Sequence, residues 1–207
     1  TNTGAVDPLA AIGEICRAEG LWHHVDGAYG AFFQLCDETR PVLRGLGEAD
    51  SLTLDPHKGM FMPYGTGALL VRDGNRLRAA HAMTAGYLPE MPSPGEFYDP
   101  SQHGPDLSRG FPGLRMWMVM KLYGADAFRR AVTEKRDLAV NAAARVAALP
   151  HVVMDAWPEL SLFAFHLTWP GATAAQEDAA TRELMADTSK RGRVMISGAE
   201  VRGRYVG

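Results

Sequence analysis

Two short apolar runs, each broken by polar and glycine-rich residues, organise the first sixty positions. Leu21 to Asp26 runs apolar and aromatic before stopping at Gly27, and Ser51-Leu52-Thr53-Leu54 is a branched tetrapeptide that stops at Asp55-Pro56. Runs of this length bounded by breakers read as short buried strands, and Pro56, lacking a backbone donor, cannot extend a ladder. Ahead of them, Asp7-Pro8 opens a helical pattern with proline at a tolerated first position. Leu9, Ile12, Ile15 and Cys16 then form an apolar stripe that ends near Gly20, as expected of a crossover helix. Asp37 to Asp50 is polar and partly helical, a solvated connection to which no chemistry is attached.

Beyond Pro56 the pattern changes. Gly65 to Arg72 predicts a turn entering a strand with Ala68-Leu69-Leu70-Val71 buried, and the short return favours antiparallel pairing. Gly74 to Ala82 reads as a helix. Met83 to Pro105 is rich in Pro, Gly and Ser, and a structureless stretch of that length is functional or disordered. From Arg109 the spacing is helical through Leu114, Trp117, Met118 and Leu122, and again beyond Gly124 from Phe128 to Leu149. Val152 to Met154 and Leu160 to Leu167 predict strands, Ala174 to Lys190 an amphipathic helix, and Val194 to Ser197 with Val201 to Val206 a closing hairpin. The expectation is an α/β part over 1–114 and a small α+β domain over 115–207.

The chemistry-bearing residues lie where the apolar runs end. Lys58 follows the second run and Asp26 closes the first, thirty-two positions earlier, a spacing that suits one parallel crossover with both strand ends on one edge of a sheet. Open α/β sheets bind their ligands at that edge. Taken singly, Lys58 is also a plain surface-turn lysine, Asp26 a cap, and His57 a histidine bonded to backbone. Taken together, an amine and a carboxylate facing one crevice are the pair that pyridoxal phosphate needs, one to form an imine and one to keep its ring nitrogen protonated.

At this point the residues amount to a resemblance. His24-Val25-Asp26-Gly27-Ala28-Tyr29 followed by Asp55-Pro56-His57-Lys58 resembles the paired signature of the group II pyridoxal-phosphate-dependent decarboxylases, the family of aromatic amino acid and glutamate decarboxylases. Thr1 to Asp7 resembles the family's turn after the preceding strand, and Pro63-Tyr64-Gly65-Thr66-Gly67-Ala68 its exit from the lysine loop. Ser108-Arg109 with Leu114-Arg115-Met116-Trp117 resembles the start of its carboxyl-terminal domain. The resemblance covers nearly the whole chain. It implies fold type I, aspartate aminotransferase-like, with 1–114 the later part of a large domain with a mostly parallel sheet, and 115–207 a small domain truncated at its end.

The same resemblance implies a function and its residues. Lys58 would carry pyridoxal 5'-phosphate, Asp26 would contact the ring nitrogen, Ala28 would pack on a ring face, and Thr1 would lie near cofactor and substrate. His57 would touch the phosphate or assist proton transfer, and Tyr98, in a loop closing over the partner subunit's site, would protonate the substrate carbon. Asp55 stands where relatives carry an amide or an acid, and a carboxylate there repels phosphate unless it points elsewhere. The implied reaction is decarboxylation of an L-amino acid, with Ser108 leaning towards a phenolic substrate, by a homodimer. Aldehyde formation, carbon–carbon lysis and a non-catalytic subunit are the alternatives. Because the family's ring-stacking histidine and most of its phosphate loop precede the position of Thr1, the chain reads as part of a larger enzyme.

Composition narrows the classes further. A 46% hydrophobic share with net charge −3 is ordinary for a globular protein and implies neither a nucleic-acid nor a membrane partner. No apolar run reaches bilayer-spanning length and the first residues lack a signal-peptide pattern, so a cytoplasmic setting is expected, although Thr1 falls inside a motif and any targeting segment would precede it. Cys16 and Cys36 read as core residues in a reducing compartment. The seven histidines show no metal-ligand spacing, and no Walker or dinucleotide glycine motif is present.

Overall fold

The computed structural model of the chain describes residues 2–82 and 98–207. The chain divides into two compact units, one comprising Leu9–Ala31 with Gly45–Gly124, the other Thr1–Pro8, Phe32–Arg44 and Ala125–Gly207.

The first unit is built on a three-stranded sheet in the order β1 (His24–Asp26), β2 (Ser51–Leu54), β3 (Ala68–Val71). β1 and β2 are parallel, with Asp26 opposite Thr53, and β3 returns antiparallel with Leu54 opposite Ala68. Both pairings follow the expected crossover and return. Helix α1 (Leu9–Glu19) precedes β1 and ends with Arg17 in its last turn, where a cation complements the helix dipole. Its buried positions are Leu9 and Gly13, one turn apart, whereas Ile15 of the expected stripe is 60% exposed. The reason is close approach: a Cβ on Gly13 would stand 3.3 Å from Nδ1 of His23, so the packed face is the one that carries the glycine. β3 also departs from expectation. Leu69 and Leu70, adjacent and therefore on opposite faces, are 53% and 54% exposed, because this edge strand is covered on neither face among the described residues. Two short helices follow the strands, α2 (Pro56–Gly59) after β2 and α3 (Gly74–His81) after β3, the latter capped by the Asp73 carboxylate accepting from Asn75 N–H.

Helix α4 runs over Gly113–Ala147 and is broken at Gly124, whose φ of 73° and ψ of 162° lie in a region that essentially only glycine occupies. Beyond the break, Phe128, Val132 and Ala143 form one buried stripe. In the second unit β4 (Val152–Ala156) pairs antiparallel with β5 (Ala164–Leu167), and β6 (Ala199–Val201) with β7 (Arg204–Val206). Reciprocal bonds between Phe165 and Gly207, of 3.1 and 2.8 Å, join β5 to the end of β7. Helix α5 (Ala174–Lys190) has the limits its periodicity predicted and starts in a capping box between Thr173 and Gln176. It docks through Thr181, fully buried, whose hydroxyl accepts from Leu167 N–H at 3.0 Å and donates to the Glu177 carbonyl at 2.8 Å.

Two strand expectations shift here. β5 begins at Ala164 rather than Leu160, which is buried from a bend ahead of the strand. The closing hairpin uses 199–206 rather than Val194 to Ser197, because Arg202 and Gly203 both adopt positive φ, the geometry of a two-residue hairpin turn, and so set the register. Val194 and Met195 stay 59% and 89% exposed. Cys36 is buried, Cys16 half-buried, and both are free thiols. Among the described residues no helix is long and apolar enough to cross a membrane.

Candidate active site

The parallel pairing of β1 and β2 brings their carboxyl ends to one edge of the sheet, and a turn beyond each strand shapes the site. After β1, the Asp26 carboxylate accepts from Ala28 N–H at 3.1 Å, which folds the chain back at Gly27. Gly27 is required for space: a Cβ there would lie 2.6 Å from that of Ala31 and 2.7 Å from Leu52 Cδ1. After β2, Asp55 N–H donates to the Ala28 carbonyl at 3.2 Å, so the two strand ends are tied by a backbone bond. Pro56 then starts α2, and the N–H groups of Lys58 and Gly59 return to the Asp55 carbonyl. The turn is closed by Phe61 at φ 56°, an uncommon conformation for a bulky residue, which lets Met60 and Met62 bury on either side of it. The lysine therefore stands on a rigid helical turn just past the strand.

Charge is concentrated on that turn. Lys58 Nζ lies 2.6 Å from Asp55 Oδ2, and His57 Nε2 lies 3.7 Å from the same oxygen. The Lys58 side chain is 44% exposed, so its amine is reachable, while that of Asp55 is 18% exposed. His57 is oriented from its other nitrogen: Nδ1 is 2.7 Å from the Thr66 carbonyl, an acceptor only, so Nδ1 carries the proton and Nε2 faces Asp55. Thr66 is buried and held by its own hydroxyl donating to Pro63 O at 3.1 Å, and Tyr64 meets the His57 ring edge-on at 5.1 Å. Thus Asp55 turns its carboxylate towards the basic groups of its own turn.

Of the residues singled out in the sequence, Lys58 and His57 share one charged cluster, and Asp26 and Ala28 join it through the Ala28–Asp55 backbone bond. Asp26 itself is exposed. Tyr98 belongs to a different local group: it is 65% exposed and its ring stacks on His103 at 4.6 Å, in a 3-10 turn over Pro100–His103. Asp99 caps that turn, and the Ser101 hydroxyl and amide, with His103 nearby, hold its carboxyl below the usual range. Thr1, and the expected loop from Met83 as far as 97 with Tyr87 and Phe97, lie outside the described residues. Thr66 was not singled out, although it sits in the Pro63 to Ala68 stretch and is the group that orients His57. His24, which the sequence left without a role, sets Nδ1 2.7 Å from Ser51 Oγ and Nε2 3.3 Å from Thr53 Oγ1, bonds across the β1–β2 pair.

Residues 1–168 match the pyridoxal-dependent decarboxylase conserved domain. The chain is 32% identical over 210 positions to an aromatic-L-amino-acid decarboxylase of Bacillus atrophaeus, an alignment covering 100% of this chain and 43% of that protein. Superposition on the crystal structure of Oryza sativa TDC with PLP and tryptamine gives a TM-score of 0.91 at 29% identity, covering 100% of this chain and 43% of that one. The crystal structure of Rhodiola rosea 4-hydroxyphenylacetaldehyde synthase gives 0.86 at 27% identity, covering 100% and 42%. The fold is that of part of the large and small domains of fold-type I pyridoxal-dependent decarboxylases. The chain belongs to the pyridoxal-dependent decarboxylase family. It spans about two-fifths of the length of the relatives it matches.

Proposed function

We propose that the protein of which this chain is a part decarboxylates an L-amino acid, aromatic by preference, to the amine, using pyridoxal phosphate. The observation that carries the reading is an accessible Lys58 amine one turn past β2, tied through the Asp55–Ala28 bond to the Asp26 carboxylate at the end of the parallel β1. That donor set fits the group: an amine for its aldehyde, a carboxylate for its ring nitrogen and an imidazole nearby. When bound, the cofactor supplies an aldehyde that condenses with amines and a protonated ring that draws electrons from the bond being broken.

The chain's own residues do the rest. Lys58 would hold the cofactor through its aldehyde. Asp26 would sustain the charge on the ring nitrogen, an interaction strengthened where water is excluded. Ala28 would leave room for the ring by presenting no more than a methyl. His57 moves a proton through Nε2, since Nδ1 is committed to Thr66. Tyr98, exposed just ahead of the 3-10 turn over Pro100–His103, would serve as donor to the substrate carbon. The working form is a homodimer, supported by the exposed stripe of Leu114, Trp117, Met118 and Leu122 on the first part of α4, an apolar face suited to a second copy.

A second reading, aldehyde formation, is favoured by the likeness to the Rhodiola rosea synthase. Carbon dioxide release over the common amino acids, with the organic product identified as amine or aldehyde, separates the two. Borohydride reduction with pyridoxal phosphate, followed by peptide mapping, is expected to tag Lys58. A tag on Lys121, Lys135 or Lys190, or none in protein that releases carbon dioxide, overturns the assignment.

A further inference from the structure

We propose that Asp55 is a positioning residue that holds the Lys58 side chain against its own turn whenever the amine is not engaged, and so governs how readily that amine takes up and releases an aldehyde. The inference rests on the reading of Lys58 as the cofactor lysine. Asp55 occupies the N-cap of α2, where an aspartate ordinarily turns its carboxylate back onto the N–H of the second or third helical residue. Here the side chain makes no cap bond. Of the two N–H groups that it would have capped, that of His57 goes to the Thr66 carbonyl at 3.4 Å and that of Lys58 to the Asp55 backbone carbonyl at 2.8 Å. The carboxylate reaches forward instead to Lys58 Nζ at 2.6 Å, from a side chain that is 18% exposed.

His57 and Lys58 face this carboxylate from its own turn, Asp26 closes the neighbouring strand, and Tyr64 lies beyond His57 on the loop after α2. Gly67 leaves room beside it, since a Cβ there would come 3.5 Å from Asp55 Oδ1.

For chemistry the pair acts in both directions. To form a carbon–nitrogen double bond with an aldehyde and release water, the Lys58 nitrogen must leave the Asp55 carboxylate and give up its protons to solvent, so the contact at 2.6 Å opposes the first step. When a substrate amine later attacks the same carbon, the bond to Lys58 breaks, its nitrogen takes up a proton, and the ammonium formed has a carboxylate waiting within its own turn. Asp55 thereby draws the released lysine aside and keeps it from recapturing the carbon.

The test uses the intact protein freed of cofactor and trace acetylation by acetic anhydride, with Lys190 as an exposed internal reference. At about neutral pH, Asp55→Asn, which keeps size but removes charge, is expected to raise the acetylation rate of Lys58 about three- to fivefold relative to Lys190. Asp55→Glu, which keeps the charge, should restore the parent rate to within about twofold, a rescue that a purely structural role would not distinguish. Should Asp55→Asn fail to fold, Asp55→Ser provides the same charge-free comparison. Equal Lys58 rates in the parent and the charge-free variant overturn the proposal. Because no cofactor is present, that outcome is separate from a missing borohydride tag, which would instead sink the functional reading.

Discussion

In the unit that carries β1 to β3, charged groups gather at two strand ends and stay open: Asp26 is exposed, and Lys58, though paired with Asp55, keeps 44% of its side chain accessible. In the unit that carries β4 to β7, charged groups are closed off by one another. Arg204 reaches Glu177 at 2.6 Å and Asp178 at 2.9 Å, and Glu177, 9% exposed, also accepts from the Thr168 hydroxyl. His166 sits 2.7 Å from Asp155. The Thr168 hydroxyl first, and Arg204 with it, holds the Glu177 carboxyl below its ordinary range, while Arg204 does the same for Asp178. The same residue types thus serve two purposes. Where carboxylates and Arg204 meet, the network fastens helix α5 to β7, whereas the Lys58 amine, held by Asp55 on one side, stays reachable from the other among the described residues.

Three substitutions sharpen that contrast. The largest effect on stability is expected from Phe33→Ala in the second unit, since Phe33 is 1% exposed and lies under Lys135 Nζ at 5.8 Å. Emptying such a site costs about 3–5 kcal/mol, read from a denaturant melt, while turnover per folded molecule should hold. Asp26→Asn should do the reverse. It removes the charge proposed to serve the cofactor ring and little that matters to packing, so turnover is expected to fall about 10²- to 10³-fold with stability within about 0.5 kcal/mol of the parent. Normal turnover in this variant would reduce Asp26 to a turn cap and erase the distinction between the two regions.

The smallest effect is expected from Arg204→Gln, and its signature is pH. Glu177 and Asp178 have folded values below their unfolded ones of about 4.3 and 3.9, so their share of stability is present above that range and lost as pH falls through the folded values. The variant should melt below the parent at neutral pH, and the two curves should converge in acid as both carboxyls protonate. A gap in melting temperature that persists at acid pH would show that Arg204 acts through packing instead.

Much of this was legible in local pattern. The apolar runs ending at Asp26 and Leu54, the breaker at Pro56 and the periodicity over Ala174 to Lys190 depend on residues a few positions apart, and β1, β2 and α5 formed where those signals lay. The identity and spacing of Asp26, Ala28, His57 and Lys58, and the family they belong to, were likewise determined by the sequence alone, because motif chemistry is a matter of residue type and order. Burial was not. Leu69 and Leu70 read as core and are half exposed, since no local pattern says whether a sheet face will be covered. The register of the last hairpin was decided by positive φ at Arg202 and Gly203, only the second of which a composition rule anticipates. The partners of the charged groups were also settled in three dimensions. Thr66 orients His57 from nine residues away, and Ala28 receives the N–H of Asp55 from the far side of the crossover. Asp55 itself carries no mark in the sequence that tells a cap from a lysine partner. That choice is made by where the backbone of α2 sends its own N–H groups, which only the folded turn defines.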